Sequence, residues 1–165
     1  MNDERTEDLR VLIIDDEKNL RESLAAFLRT EGMEALLSAS ADAARELLET
    51  ERVDAVVVDL RMPGMSGLDF LAWLREGGPS VPALMISAHG DVADAVEAMK
   101  RGAADYLVKP FDPEELAVRL RKAVGDARLV AAARAASASP DREPPEQSWI
   151  GSGAAMTELR RLIER

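Results

Sequence analysis

Short apolar runs recur along the chain, and the stretches between them carry apolar residues at helical spacing. Val11-Leu12-Ile13-Ile14, Ala55-Val56-Val57-Val58 and Ala83-Leu84-Met85-Ile86 are continuous, as in strands covered on both faces of a sheet. Strands are predicted at Arg10–Ile14, near Glu34–Ser38, and at Ala55–Asp59, Ala83–Ser87 and Asp105–Val108. Leu20, Leu24, Phe27 and Leu28 follow a helical spacing that Gly32 stops. Ser40 can cap a helix burying Ala44, Leu47 and Leu48. Phe70, Leu71 and Leu74 mark a helix over residues 68–75 that Gly77-Gly78-Pro79 breaks. Val92, Ala95, Val96 and Met99 mark the next, ended by Gly102. The last has Asp112 as cap, Pro113 at its first position and Glu115 completing a D-x-x-E variant of the capping box. Five alternations with right-handed crossovers give an α/β fold, a doubly wound five-stranded parallel sheet.

After Val124 the composition changes. Gly125 either ends the last helix or lies inside one that continues through Ala131-Ala132-Ala133. Leu116, Leu120, Ala123, Ala127 and Val130 have heptad-like spacing, which fits a dimerising helix or an Ala-rich, solvated linker helix. Ser137 to Pro145 reads as linker by composition. Residues 9–124 are therefore expected to form one domain and residues 125–148 a linker, helical and then disordered. Residues 149–165 would begin another unit, whose helically spaced Met156, Leu159, Leu162 and Ile163 have nothing in sight to cover them. The chain is thus expected to be a fragment of a longer protein. Residues 1–8 are polar and expected to fray.

Composition adds exclusions. A net charge of −10 argues against nucleic-acid binding by these residues themselves. The absence of Cys removes disulfides, thiolate metal sites and thiol nucleophiles. No apolar run approaches membrane-spanning length and no signal peptide is visible, so a cytoplasmic location is expected, with no membrane partner.

The candidate chemistry lies at the carboxyl ends of the predicted strands, where open α/β sheets place their sites. Asp15-Asp16 follows the first strand, Asp59 ends the third, Ser87 ends the fourth, and Lys109-Pro110 follows the fifth. Either acid motif alone could be a helix cap or a turn former. Together, three carboxylates repel one another unless a hard cation joins them, and oxygen donors favour Mg²⁺ or Mn²⁺. Lys109 can neutralise a phosphate's remaining charge, Ser87 offers a hydroxyl, and Asp59 can then attack phosphorus to form an acyl phosphate.

These residues carry a resemblance. Asp15-Asp16, Asp59 in VVVDLRMPGMSGLDF, Ser87 in ALMISAHG and Lys109-Pro110 in DYLVKPF make residues 9–124 resemble a response-regulator receiver domain of bacterial two-component signalling, a CheY-like (βα)5 fold. The resemblance implies that Asp59 accepts a phosphoryl group from a histidine kinase. It implies that Asp16, Asp59 and the Arg61 backbone carbonyl bind Mg²⁺ directly, with Asp15 acting through water. Lys109 and Ser87 would engage the phosphoryl oxygens, and Tyr106 would swing inward when Ser87 moves. The Lys109–Pro110 peptide would be cis, against about 5–6% of such bonds generally. Thr is commoner in the family where Ser87 stands; Ser keeps the hydroxyl. Arg61 and His89 occupy positions that border the phosphoryl group in the family and tune its hydrolysis; His89 could equally be a solvated loop residue.

The tail from Trp149 to Ile163 resembles the opening of the AAA+ ATPase domain of sigma-54-dependent, NtrC-type activators, and Ala95 to Tyr106 is similar to receivers of that group. This implies a homodimer through the last helix and linker, and a longer protein that binds DNA and sigma-54 polymerase. No Walker A sequence is present, so these residues are not expected to hydrolyse ATP; the domain would be a regulatory phosphoacceptor that transfers and slowly loses its own phosphoryl group. An aspartate-based phosphatase of the haloacid dehalogenase type would want Asp where Arg61 stands. A flavin-binding relative would want a Ser/Thr/Gly-rich loop in place of Asp15-Asp16. Phe70 and Trp73 read as packing residues, and Met62 and Met65 as an exposed, sticky surface for a kinase.

Overall fold

The computed structural model describes residues 8–137. Residues 1–7 of the expected frayed terminus, residues 138–148 of the expected linker and the proposed start of a second domain lie outside the described residues. Five strands alternate with five helices: β1 Arg10–Ile14, α1 Lys18–Thr30, β2 Glu34–Ser38, α2 Ala41–Thr50, β3 Ala55–Asp59, α3 Gly67–Glu76, β4 Ala83–Ser87, α4 Val92–Lys100, β5 Asp105–Val108 and α5 Pro113–Ser137. The strands form one sheet in the order β2-β1-β3-β4-β5, and every neighbouring pair is parallel.

The pleat sends alternate strand residues into two cores. Leu12, Ile14, Val56, Val58 and Met85 pack with Leu48, Phe70, Leu71 and Leu74 of α2 and α3. Val11, Ile13, Val57, Leu84 and Ile86 pack with Leu24 and Leu28 of α1 and with Leu116, Leu120 and Val124 of α5. This double coverage is the physical reason the three central strands read as unbroken apolar runs. Ser40 caps α2 through the Ala43 N–H, and Asp112 accepts from Glu114 N–H at 2.9 Å at the start of α5. The capping-box partner Glu115 pairs with Arg119.

Packing corrects two expectations and shows which face α4 buries. Met62 is buried within the α2/α3 core and is no docking surface, while Met65 is half-buried against it. The α4 residues Val92, Val96 and Met99 face outward, and small Ala98 is what α4 buries. Leu116 and Leu120, the first half of the heptad-like seam, are consumed by the sheet. In the later part of that seam Ala127 is half-buried and Val130 is exposed.

Helix α5 runs through Gly125 without a break, which decides between the two sequence readings. An added Cβ at Gly125 would meet nothing within 4 Å. Gly125→Ala is therefore expected to stabilise the fold by about 0.5–1 kcal/mol, seen as a higher midpoint in urea; a lower midpoint would contradict an intact helix there.

Candidate functional site

The carboxyl ends of β1, β3, β4 and β5 lie side by side, because those strands are consecutive in the sheet. Asp15 leaves β1 with its N–H donated to the Ser38 carbonyl at the end of β2, 3.2 Å away. Asp59 is the last residue of β3, and Leu60 N–H donates to Ile86 across β4 at 2.8 Å. The return into α3 is tight: an added Cβ at Gly67 would lie 2.2 Å from the Asp59 carbonyl oxygen. Gly67→Ala should thus destabilise the domain by about 2–4 kcal/mol through overpacking and backbone shift. A thermal melt within a degree of the parent would contradict that close approach.

Asp15 is fully buried and held from every side. Its Oδ1 accepts from the Glu17 N–H at 2.9 Å, its Oδ2 from Lys109 Nζ at 2.9 Å, and its carbonyl from Arg21 Nη1 at 2.7 Å. Lys109 Nζ also lies 3.4 Å from Asp59 Oδ2. Asp16 is exposed, yet carboxylate oxygens of Asp15, Asp16 and Asp59 all lie within 4.8 Å of one another. That donor set, oxygen only and strongly anionic, fits a hard divalent cation such as Mg²⁺. Because Asp15 already serves Glu17 and Lys109, Asp16 and Asp59 retain more capacity for direct ligation.

Burial raises the Asp59 carboxyl above its ordinary value, and the nearby charge of Asp15 adds to this; Lys109 and the Arg61 N–H act the other way. For Lys109, burial would lower the ammonium, but its bonds to Asp15 and the charges of Asp15 and Asp59 outweigh that and raise it. Lys109 therefore stays cationic beside a carboxylate that ionises at a cost.

The remaining expected residues divide. The Lys109–Pro110 peptide is cis. Arg61 donates its backbone N–H to Asp59 Oδ1 at 3.4 Å, while its side chain turns outward to Asp94. Ser87 is buried, and its hydroxyl both donates to the His89 carbonyl at 3.2 Å and accepts from the His89 N–H at 3.1 Å. Tyr106 donates its hydroxyl to that same carbonyl at 3.1 Å. His89 thus joins the two switch candidates through its backbone, with its side chain exposed. Phe70 is buried with its ring 5.5 Å from that of Trp73, over which the Arg45 guanidinium sits at 5.0 Å; both aromatics are packing residues.

Sequence reasoning missed Glu17, Arg21 and Asp94, and it did not see the His89 carbonyl as the meeting point. Ser87 two residues before His89 is the spacing of a hydroxyl-to-backbone turn, the one local signal available.

Comparison with known proteins gives a coherent picture. The family described as response regulator receiver domain matches residues 11–121. Response regulator protein FleR of Pseudomonas aeruginosa is 44% identical over 107 residues, covering 65% of this chain and 23% of its own length. The C4-dicarboxylate transport transcriptional regulatory protein DctD of the same organism is 37% identical over 158 residues, covering 93% of this chain and 34% of its own. The chain thus spans about a quarter to a third of the length of these curated relatives. Among solved structures, the beryllofluoride-activated NtrC4 receiver domain dimer superposes with a TM-score of 0.68 at 31% identity, covering 72% of this chain and 98% of that one.

Proposed function

This chain belongs to the response regulator receiver domain family, whose general mechanism is phosphorylation of an aspartate, and on that premise we propose that Asp59 is its phosphoryl acceptor. The observation that carries the reading is the convergence of Asp15, Asp16, Asp59 and Lys109 from three separate strand ends. A carboxylate oxygen of Asp59 attacks the phosphorus of a sensor histidine kinase's phosphohistidine. The phosphorus–nitrogen bond breaks, and the imidazole leaves with the bonding pair and takes up a proton. Lys109 holds positive charge against the acceptor and the incoming oxygens throughout, since its pKa is raised. Asp15, clamped by Glu17 and Arg21, keeps Lys109 in place. Asp16, Asp59 and the Arg61 carbonyl would hold Mg²⁺ or Mn²⁺, with Asp15 reaching it through water. Such an ion supplies charge neutralisation on the phosphoryl oxygens.

After transfer, Ser87 gives up the His89 carbonyl for a phosphoryl oxygen, leaving that carbonyl to Tyr106. The β4–α4 loop and the outward apolar residues of α4 then change setting, a two-state equilibrium biased by the acyl phosphate. Water slowly reverses the modification.

Residues 9–124 form the receiver, residues 125–148 the linker, and residues 149–165 open an AAA+ domain. The match to DctD supports this, since 158 aligned residues extend well past the receiver. In the whole protein the switch controls a sigma-54-activating ATPase and transcription, and the dimer forms through the last helix and linker. No helix among the described residues is long and apolar enough to cross a membrane; the site of action is the cytoplasm.

Incubation with acetyl phosphate and Mg²⁺ should add about 80 Da, one phosphoryl group, to the intact protein. No adduct, or one indifferent to chelation of the metal, would overturn the reading. Sedimentation with beryllofluoride and Mg²⁺ should show a shift from monomer to dimer; an unchanged mass would overturn the dimer proposal alone.

A further inference from the structure

Arg61 already touches the site through its backbone, yet its guanidinium is held elsewhere. Nη2 lies 3.3 Å from Oδ2 of Asp94, in the first turn of α4. The arginine side chain is 64% exposed and the aspartate side chain 25% exposed. This contact links the loop after β3 to α4 across 33 positions of sequence.

Once Asp59 is phosphorylated, two acceptors compete for this guanidinium. Asp94 offers a single charge and is met here through a single contact of a solvent-facing kind, which is weak. The phosphoryl group offers three oxygens and close to two charges, a geometry the guanidinium fork matches with two bonds. We infer that Asp94 is a positioning residue for Arg61: it holds the guanidinium off phosphorylated Asp59 and thereby shortens the life of the acyl phosphate. The inference rests on Asp59 being the phosphoryl acceptor.

The step affected is hydrolysis. A water oxygen attacks phosphorus opposite the Asp59 oxygen, the bond from phosphorus to that oxygen breaks, and the bonding pair returns to the carboxylate. The water's surplus proton goes to bulk solvent, and inorganic phosphate leaves. A guanidinium lying over the phosphoryl oxygens narrows the path for that water. The coupling is reciprocal: a phosphoryl group that draws Arg61 inward unties the first turn of α4.

Asp94 could instead serve only α4, as a negative charge near a helix N-terminus. That role does not depend on Arg61, so a double-mutant cycle separates the two. The protein is phosphorylated with acetyl phosphate and Mg²⁺, freed of donor, and followed by intact mass as the adduct decays. Asp94→Asn should lengthen the half-life about two- to fivefold, the range an exposed ion pair commands. Asp94→Glu should stay near the parent. In an Arg61→Ala background, Asp94→Asn should change nothing. A half-life unchanged or shortened by Asp94→Asn, or lengthened equally without Arg61, overturns the inference while leaving Asp59 as acceptor. A parent protein that takes up no phosphoryl mass overturns both.

Discussion

Asp59→Asn is expected to make the domain more stable at neutral pH without divalent cation, while abolishing phosphoryl uptake. The fold raises the carboxyl of Asp59 by burial and by the charge of Asp15. A raised carboxyl favours the protonated form, so its contribution to stability is complete below the ordinary value of 3.8 and is lost as pH rises through the raised one. At neutral pH the ionised group is a net cost, which Asn removes at nearly constant shape. The gain should be about 1 kcal/mol, or a few degrees in the melt, and should vanish as pH falls below the ordinary carboxylate range. Saturating Mg²⁺ should narrow or reverse the order, because an ion held by the native carboxylates stabilises the parent more. A variant less stable than the parent at neutral pH without Mg²⁺ would contradict this electrostatic picture.

Lys109→Met is expected to have the largest effect on stability. Lys109 Nζ faces both Asp15, whose side chain is 1% exposed, and Asp59, 8% exposed. Its removal leaves two buried carboxylates without a cation, which costs about 3–5 kcal/mol at neutral pH. The deficit should shrink as pH is lowered and the raised carboxyl of Asp59 protonates, and Mg²⁺ should recover part of it. In the parent the sign is the opposite of that for Asp59. The lysine is raised, so its stabilisation is fully present below the ordinary 10.5 and is lost only as pH climbs through the raised value. Urea denaturation of parent and variant at pH 5 and pH 7.5 measures the deficit and its shrinkage. A loss below about 1 kcal/mol at the higher pH would mean that the two acids do not depend on this lysine.

The frame of the molecule was legible because its signals are local. Val56-Val57-Val58 is apolar on both sides of the pleat, and Gly32, Gly77 and Gly102 stand just past the ends of α1, α3 and α4, so the five strands fall where the apolar runs predict. The site was legible for a related reason: parallel strands bring every carboxyl end to one edge, so Asp15, Asp59, Ser87 and Lys109 converge once the strands are placed. What misled was the choice between apolar faces. Val92, Val96 and Met99 have the spacing of a buried stripe, but α4 settles on Ala98. Leu116 and Leu120 have the spacing of a coiled-coil seam, but the sheet takes them first. Met62 beside a Pro-Gly turn looks exposed until the turn folds it back over α3. The contacts that were missed leave no local trace. Arg21 meets a backbone carbonyl, Ser87 and Tyr106 share another, and Arg61 meets Asp94 from a distant part of the chain.

The most direct test is to trap the product where it forms. The protein would be treated with acetyl phosphate and Mg²⁺, reduced with borohydride, digested and mapped by peptide mass spectrometry. Borohydride converts an aspartyl phosphate to homoserine, and the expected result is homoserine at position 59, dependent on Mg²⁺ and lost when Lys109 is replaced. Reduction at another carboxylate, or none at any position, would contradict the assignment of Asp59 as the phosphoryl carrier.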